Sequence, residues 1–314
     1  MSLSKARQSL LERLRRRHQR DREGCFVVEG VRGAKTALHA RAGVRFAVIS
    51  PRLEELDPGG EIPLLLAAAG IDVTESDDTE LAGLADTVNP QGVLLVCDEP
   101  EATLATLEPF VAAATGILIA DAIQDPANLG TMIRTSAALG LAGVIALDGT
   151  VDPWNAKVVR GTAGACFFIP IVRARCEEVL PWVREKGIRL FGAAGEGVDI
   201  REIARGGATG QPGEHKAGRG GASREPSEAE AGRVSATEEP SEPEADPGGA
   251  TEEMSGPTVR GRGPWALAVG NEGAGLRDEV HAAAEQLVAV PIDRDIDSLN
   301  AAVAAAILMW EMVR

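Results

Sequence analysis

The chain has 314 residues, 44% of them hydrophobic, with a formal net charge of −15. That length exceeds the usual single domain and predicts two domains plus accessory sequence, with apolar material enough for a sizeable core. No apolar run reaches the roughly 20 residues of a membrane helix, the start MSLSKARQSLLERLRRRHQR lacks the apolar centre of a secretory signal, and no Cys or His pair has metal-ligand spacing. The expectation is a soluble, cytoplasmic protein with four reduced packing cysteines and neither a membrane nor a metal partner.

Residues 1–24 hold eight bases, Arg13, Arg16, Arg17 and Arg20 among them, against three acids, with Leu10, Leu11 and Leu14 as a narrow apolar stripe. One reading is a basic helix docked by its leucines and offering arginines to RNA phosphates; the other is a solvated helix with ordinary surface arginines. From 25 to 100 the pattern alternates. CFVVEG, RFAVIS, IDVTES and GVLLVCD read as strands, and VRGAKTALHAR, IPLLLAAAG and DTELAGLAD as helices between them. This predicts a compact α/β domain, followed over 101–115 by a linker comprising a short hinge and a helix.

Residues 116–314 alternate again, with richer loops. The strand GILIAD leads through AIQDPANLG to a helix at 131–139; GVIAL leads through DGTVDPWN to a helix ending at Gly161; FFIPIV precedes a helix near 177–187 and the strand RLFGAA. After an interruption come the strand WALAVG, the loop NEGAGL, the helix DEVHAAAEQ, the strand LVAVPI and a last helix from Ser298 to Arg314. A mostly parallel sheet covered on both faces is the economical solution. The interruption, 206–257, is dominated by Gly, Pro, Ser, Ala and Glu and lacks Ile, Leu, Phe and Trp, so it predicts a disordered acidic insertion. It carries eleven acids against four bases, about half of the chain's excess acid, so the net charge does not argue against a nucleic-acid partner. Its expected role is a surface tether, dispensable for activity.

The loop after GILIAD has one glycine where a dinucleotide fingerprint needs three, and no phosphate-binding G-x-x-x-x-G-K-[ST] occurs. A nucleotide-cofactor oxidoreductase of ordinary α/β topology is therefore disfavoured. The loops offer the amides and hydroxyl of Asn128, Asn271, Asn300 and Ser298, the carboxylate Glu272, and the helix-borne Arg134 and Arg160. Such a set suits a polar, partly anionic ligand rather than covalent chemistry.

Three ordered segments, NLGTMIRTSAALG, GNEGAGL and PIDRDIDSLNAAVAAAI, with the linking stretch DPWNAKVVRGTAGA, resemble the SpoU (TrmH-like) family of RNA ribose 2′-O-methyltransferases in the knotted SPOUT superfamily. The likeness covers 116–314 apart from the insertion. Through FVVEG and NPQGVLLV, residues 25–100 more weakly resemble the ribosomal-protein-like substrate-binding domain often fused to these enzymes. The resemblance implies a trefoil-knotted α/β methyltransferase domain, a homodimer, and transfer of a methyl group from S-adenosyl-L-methionine to a 2′-hydroxyl of structured RNA. Ribosomal RNA of the large subunit (23S) is the favoured target. A tRNA substrate, or a non-catalytic RNA-binding ribosome-assembly factor of the same fold, is the alternative.

By the same resemblance Gly270, Val290 and Leu299 hold the cofactor, with Asn271, Gly275, Ile292 and Ser298 nearby; turn and core roles are the alternatives. Arg134 is the family's catalytic arginine. Because a guanidinium stays protonated, fixing a phosphate and stabilising oxyanion charge is the easier role for it. Glu272 orients the ribose or accepts its proton, or else caps the helix after GNEGAG. Asn128, Asn300 and Ser298 complete the catalytic set, the two asparagines orienting Arg134, Glu272 or the ribose through amide hydrogen bonds, with helix capping or loop bracing as their alternative. Arg160 on the linking helix is expected to make an RNA-phosphate or cross-dimer contact, with a plain surface ion pair as its alternative, and Lys157 to meet an RNA phosphate or, with Asp152 and Asn155, to shape that loop.

Overall fold

The structure, a computed structural model, describes residues 3–113, 116–204, 263–293 and 296–314. The insertion expected at 206–257 lies outside the described residues.

The amino-terminal stretch forms two helices where one was expected. Helix α1 (Lys5–Leu14) starts on the Ser4 hydroxyl, and α2 (Arg17–Glu23) ends at Gly24. Then follow β1 (Cys25–Glu29), α3 (Val31–His39), β2 (Val44–Ile49), α4 (Arg52–Leu56), α5 (Glu61–Ala68), β3 (Val73–Glu75), α6 (Asp78–Leu84) and β4 (Val93–Asp98). Their sheet has the order β1-β4-β2-β3, antiparallel except where β2 meets β3.

Helix α7 (Leu104–Ala112) leads to β5 (Gly116–Ala120), α8 (Pro126–Ala138), β6 (Gly143–Leu147), α9 (Ala156–Gly161), a 3-10 turn at Ala165–Phe167, β7 (Ile171–Ala174) and α10 (Cys176–Glu185). The remainder is β8 (Arg189–Asp199), α11 (Ile200–Ala204), β9 (Trp265–Val269), α12 (Asp278–Ala283), β10 (Gln286–Ala289) and α13 (Ala301–Val313). Six strands make a wholly parallel sheet, order β10-β8-β9-β5-β6-β7. GILIA, GVIAL and WALAV are buried at every residue, as strands covered on both faces must be. From β5 the chain moves outward through β6 and β7, then returns on the other side through β8 and β9, so the crevice between β5 and β9 at the carboxyl edge is a topological switch point.

Side-chain alternation divides the core. On β5, Leu118 and Ala120 face one cluster and Ile117 and Ile119 another; on β4, Val93, Leu95 and Cys97 join the first of these while Leu94 and Val96 face a third with Leu11 and Leu14 of α1. The first cluster is therefore shared by both sheets. Phe26 of β1 lies 4.7 Å, centroid to centroid, from the Trp154 ring in the β6–α9 loop. The described residues all belong to one compact unit.

Boundaries moved where caps act. Helix α8 begins at Pro126, because the Asp125 carboxylate accepts the Ala127 N–H at 2.8 Å and proline suits a first helical turn, so Asn128 is helical rather than in a loop. Helix α13 starts at Ala301, with Asn300 rather than Ser298 at its cap. Strand β10 ends at Ala289, leaving Val290 to Ile292 as loop, and β7 begins only at Ile171.

Candidate active site at the carboxyl edge of the parallel sheet

The three loops singled out in the sequence meet. The Glu272 carboxylate, in the β9–α12 loop, accepts the Asn128 side-chain amide at 2.8 Å and the backbone N–H groups of Gln124 and Asp125 at 3.3 Å each. Asn128 Oδ1 accepts from Asn300 Nδ2 at 2.9 Å, and Asn300 Oδ1 accepts the N–H groups of Ala302 at 2.9 Å and Val303 at 3.3 Å. Every amide in this relay has its orientation dictated. Helix N–H groups need an oxygen from Asn300, which turns its NH2 to Asn128, which turns its own NH2 to the carboxylate. Glu272 thus closes the amino-terminal turn of α8 from across the crevice, and does not cap α12, which starts at Asp278.

Burial alone would raise the Glu272 pKa, but the hydrogen bonds from Asn128 and from the backbone N–H groups of Glu272, Gln124 and Asp125 outweigh it and hold the carboxyl below its ordinary value. It is a fixed anion and a weak base.

The 270–275 turn is tight. Asn271 and Gly275 exchange two backbone hydrogen bonds of 2.9 Å, and the Asn271 side chain accepts the Gly273 and Ala274 N–H groups while donating to the Ala122 carbonyl at 3.0 Å. A Cβ on Gly270 would sit 2.2 Å from the Gly275 carbonyl carbon, and Gly275 itself has φ 74°, so both positions require glycine. Ala122, which receives Asn271, holds φ 57° despite its side chain.

Above β8, β9 and β10 the 270–275 turn and the segment from Val290 to Asn300 border a cleft of about 540 Å³. All six residues expected to hold the cofactor, Gly270, Asn271, Gly275, Val290, Ile292 and Leu299, line it, together with Glu272, Ser298 and Asn300. Asn128 is buried just behind, reaching the cleft through Glu272 and Asn300. Arg134 is not brought there. It lies exposed on α8, without a hydrogen bond or ion pair among the described residues, about 120° around the helix from Asn128.

Sequence reasoning missed two contributors. Ala193, Ala194 and Gly195 of β8 form one wall of the cleft, because β8 runs on to Asp199, past the expected RLFGAA. Asp121, fully buried at the end of β5, accepts the Arg277 backbone N–H at 2.8 Å and its guanidinium at 2.5 Å, and Arg277 also reaches Asp148 at 3.2 Å. This clamp fixes the exit of the 270–276 loop over β5 and β6. A charge ending an otherwise apolar strand, GILIAD, was the available signal.

The expected RNA-facing cations divide. Arg20 is a correction: it is buried, with Nε 2.7 Å from Asp152 and Nη1 donating to the Leu14 carbonyl, so it joins α2 to the β6–α9 loop and cannot meet a phosphate. Asp152 is thereby an anchor, and Asn155 caps α9 by accepting the Lys157 N–H at 2.9 Å. Arg160 pairs with Glu29 at 3.0 Å yet leaves 38% of its side chain exposed. Arg13 pairs with Glu23 at 3.4 Å and Arg17 with Asp21 at 3.9 Å, while Arg16 and Lys157 are exposed.

A model of the SpoU rRNA Methylase family matches residues 116–212 and 232–310, and one of an MRM3-like substrate binding domain matches residues 9–95. The 23S rRNA (guanosine(2553)-2′-O)-methyltransferase RlmP of Bacillus subtilis (strain 168) is 27% identical over 302 residues, 96% of this chain and 93% of that protein. Human mitochondrial rRNA methyltransferase 3 is 30% identical over 175 residues, 55% of this chain but 40% of that longer protein. A crystal structure of an AdoMet-bound rRNA methyltransferase from Sinorhizobium meliloti superposes with a TM-score of 0.70 at 25% identity, covering 99% of this chain and 95% of that one.

Proposed function

This chain belongs to the SpoU rRNA methylase family, and from that membership we propose that it methylates a ribose 2′-hydroxyl of 23S ribosomal RNA, as a homodimer with a trefoil-knotted carboxyl-terminal segment. It is an RNA methyltransferase that uses S-adenosylmethionine. The observation that carries the proposal is the relay in which buried Asn128 joins Glu272 and Asn300, both on the wall of the cleft. The name of the Bacillus relative supports the 23S target.

The cleft fits the cofactor. Its volume is within the range of small-molecule sites, and the tight turn that requires glycine at 270 and 275 sets its backbone along the wall. Gly270, Val290 and Leu299 would hold it, Val290 and Ile292 supplying apolar surface and Ser298 a hydroxyl. When bound, the cofactor supplies an already activated methyl group on a sulfonium centre. What the chain must then do is place a 2′-oxygen in line and accommodate the charge that develops on it. Asn128 and Asn300 keep Glu272 rigid, and Glu272, held ionised as a weak base, orients the ribose rather than taking its proton. Arg134, exposed on α8 outside the cleft and without an ion pair among the described residues, is left to meet a phosphate of the RNA beyond the cleft rather than to act within it. For the homodimer the support is an exposed apolar stripe on α13, Val303, Ile307 and Trp310, at one-turn spacing on a single helix face.

Incubation with tritium-labelled S-adenosylmethionine and either 23S rRNA or total tRNA tests this. Label is expected in 23S rRNA at one phosphodiester that has become resistant to alkali. Label in tRNA alone would defeat the assignment of the target, and label on a base would defeat the 2′-hydroxyl.

A further inference from the structure

A second cleft, of about 330 Å³, opens where three segments converge: the β1–α3 turn, the loop before β4, and α9 with the 3-10 turn that follows. Arg32, Thr87, Asn89, Gln91 and Arg160 give it a polar rim, and Phe167 an apolar wall. The rim is built rather than incidental. Buried Glu29 accepts the Asp86 N–H at 2.6 Å and the Arg160 guanidinium at 3.0 Å, and Gln91 Oε1 accepts the Val31 N–H at 2.8 Å, so the three segments are tied to one another. Other groups are left open to a ligand. Neither the Arg32 guanidinium nor the Asn89 amide makes a hydrogen bond or ion pair among the described residues.

A backbone observation points independently to the same place. Among the described residues three non-glycine positions have positive φ: Arg41, Ala122 and Ala163. Ala122 braces the active-site turn; Ala163, at φ 51°, lines this second cleft and is followed by Gly164 at φ 91°. Left-handed backbone in a residue with a Cβ persists only where its surroundings over-determine it, and such positions gather at binding sites.

We propose that this cleft binds one unpaired nucleotide of the RNA substrate, separate from the nucleotide that is methylated. Amide side chains carry both donors and acceptors, which suits the edge of a splayed-out base, and the Phe167 wall offers it apolar contact. Arg32 and the open part of Arg160 meet the phosphate with planar forks. The volume admits a base and excludes a duplex. Because one wall comes from α9 and the others from the amino-terminal sheet, a nucleotide seated here is gripped by both parts of the chain. The proposal rests on the chain being an RNA methyltransferase.

The test uses the full chain and fluorescein-labelled RNA homopolymers of each base, about twelve nucleotides long, titrated by anisotropy at one fixed salt concentration. A parallel calorimetric titration with S-adenosylmethionine reports the other site. The double variant Arg32→Ala, Asn89→Ala changes two exposed side chains, and it is expected to weaken the tightest homopolymer about tenfold while leaving cofactor affinity unchanged. Equal RNA affinity in variant and wild type overturns the proposal, as does a wild type that binds none of the four homopolymers. Loss of S-adenosylmethionine binding in the wild type would instead count against the function proposed above, and the anisotropy would still read the second cleft.

Discussion

Glu272 is a carboxylate whose neighbours strengthen its acidity, and this decides what it can contribute. Its folded-state pKa is lowered, so its stabilising contacts are complete above the unfolded carboxyl value of about 4.3 and are lost only as pH falls through the still lower folded value. The pH–rate profile of methyl transfer is therefore expected to show no acid limb from Glu272 near neutrality. Such a limb, present in the wild type and absent from Glu272→Gln, would restore it as the base. Asn128→Ala removes the amide donor and frees the carboxylate to turn, for which the rate of single-turnover transfer is expected to fall about a hundredfold with cofactor affinity little changed. Asn128, Glu272 and Asn300 were legible in the sequence because each sits in a short motif of defined order. Asp121 and Arg277 were not, since an ion pair between residues 156 positions apart leaves no periodic trace.

Asn300 joins an element to a site, because its oxygen caps α13 while its nitrogen holds Asn128. The two roles are separable. Asn300→Ala loses both, and is expected to cost about 1 kcal/mol, lowering Tm by about 2–4 °C, along with activity. Asn300→Asp keeps an excellent cap but loses the donor and faces Asn128 with oxygen, so Tm is expected to hold while the rate of transfer falls. A variant that lost neither would remove Asn300 from the relay. The same capping chemistry explains what sequence patterning misplaced. Periodicity located the α8 helix, but Asp125 and Pro126 set its start five residues earlier than the apolar pattern suggested, which carried Asn128 out of the loop and into a buried turn. The β8 wall was illegible for a related reason: RLFGAA marks the apolar part of the strand, whereas GEGVD continues it through pairing with β10.

At the scale of the molecule, charge and packing tell different stories. The basic amino terminus was plain from composition, but which of its arginines face solvent depended on a carboxylate 132 residues away. Arg20→Met leaves Asp152 buried, with Arg173 3.7 Å away as its remaining cation, and is expected to destabilise the fold by about 3 kcal/mol. Denaturant unfolding checks this, with cofactor affinity measured under native conditions expected to stay unchanged. A negligible loss of stability would mean that α2 is not anchored there.

Phe26 against Trp154, within a core common to both sheets, bears on how such a chain can change over evolutionary time. Parts joined only by a tether recombine freely, since neither depends on the other's surface. Here an exchanged amino-terminal part must arrive with an aromatic partner for Trp154, a cation for Asp152 and a carboxylate for Arg160. Target choice in this lineage is thereby coupled to the interior, and a new RNA specificity is more accessible by altering exposed loops such as 85–92 than by trading whole modules.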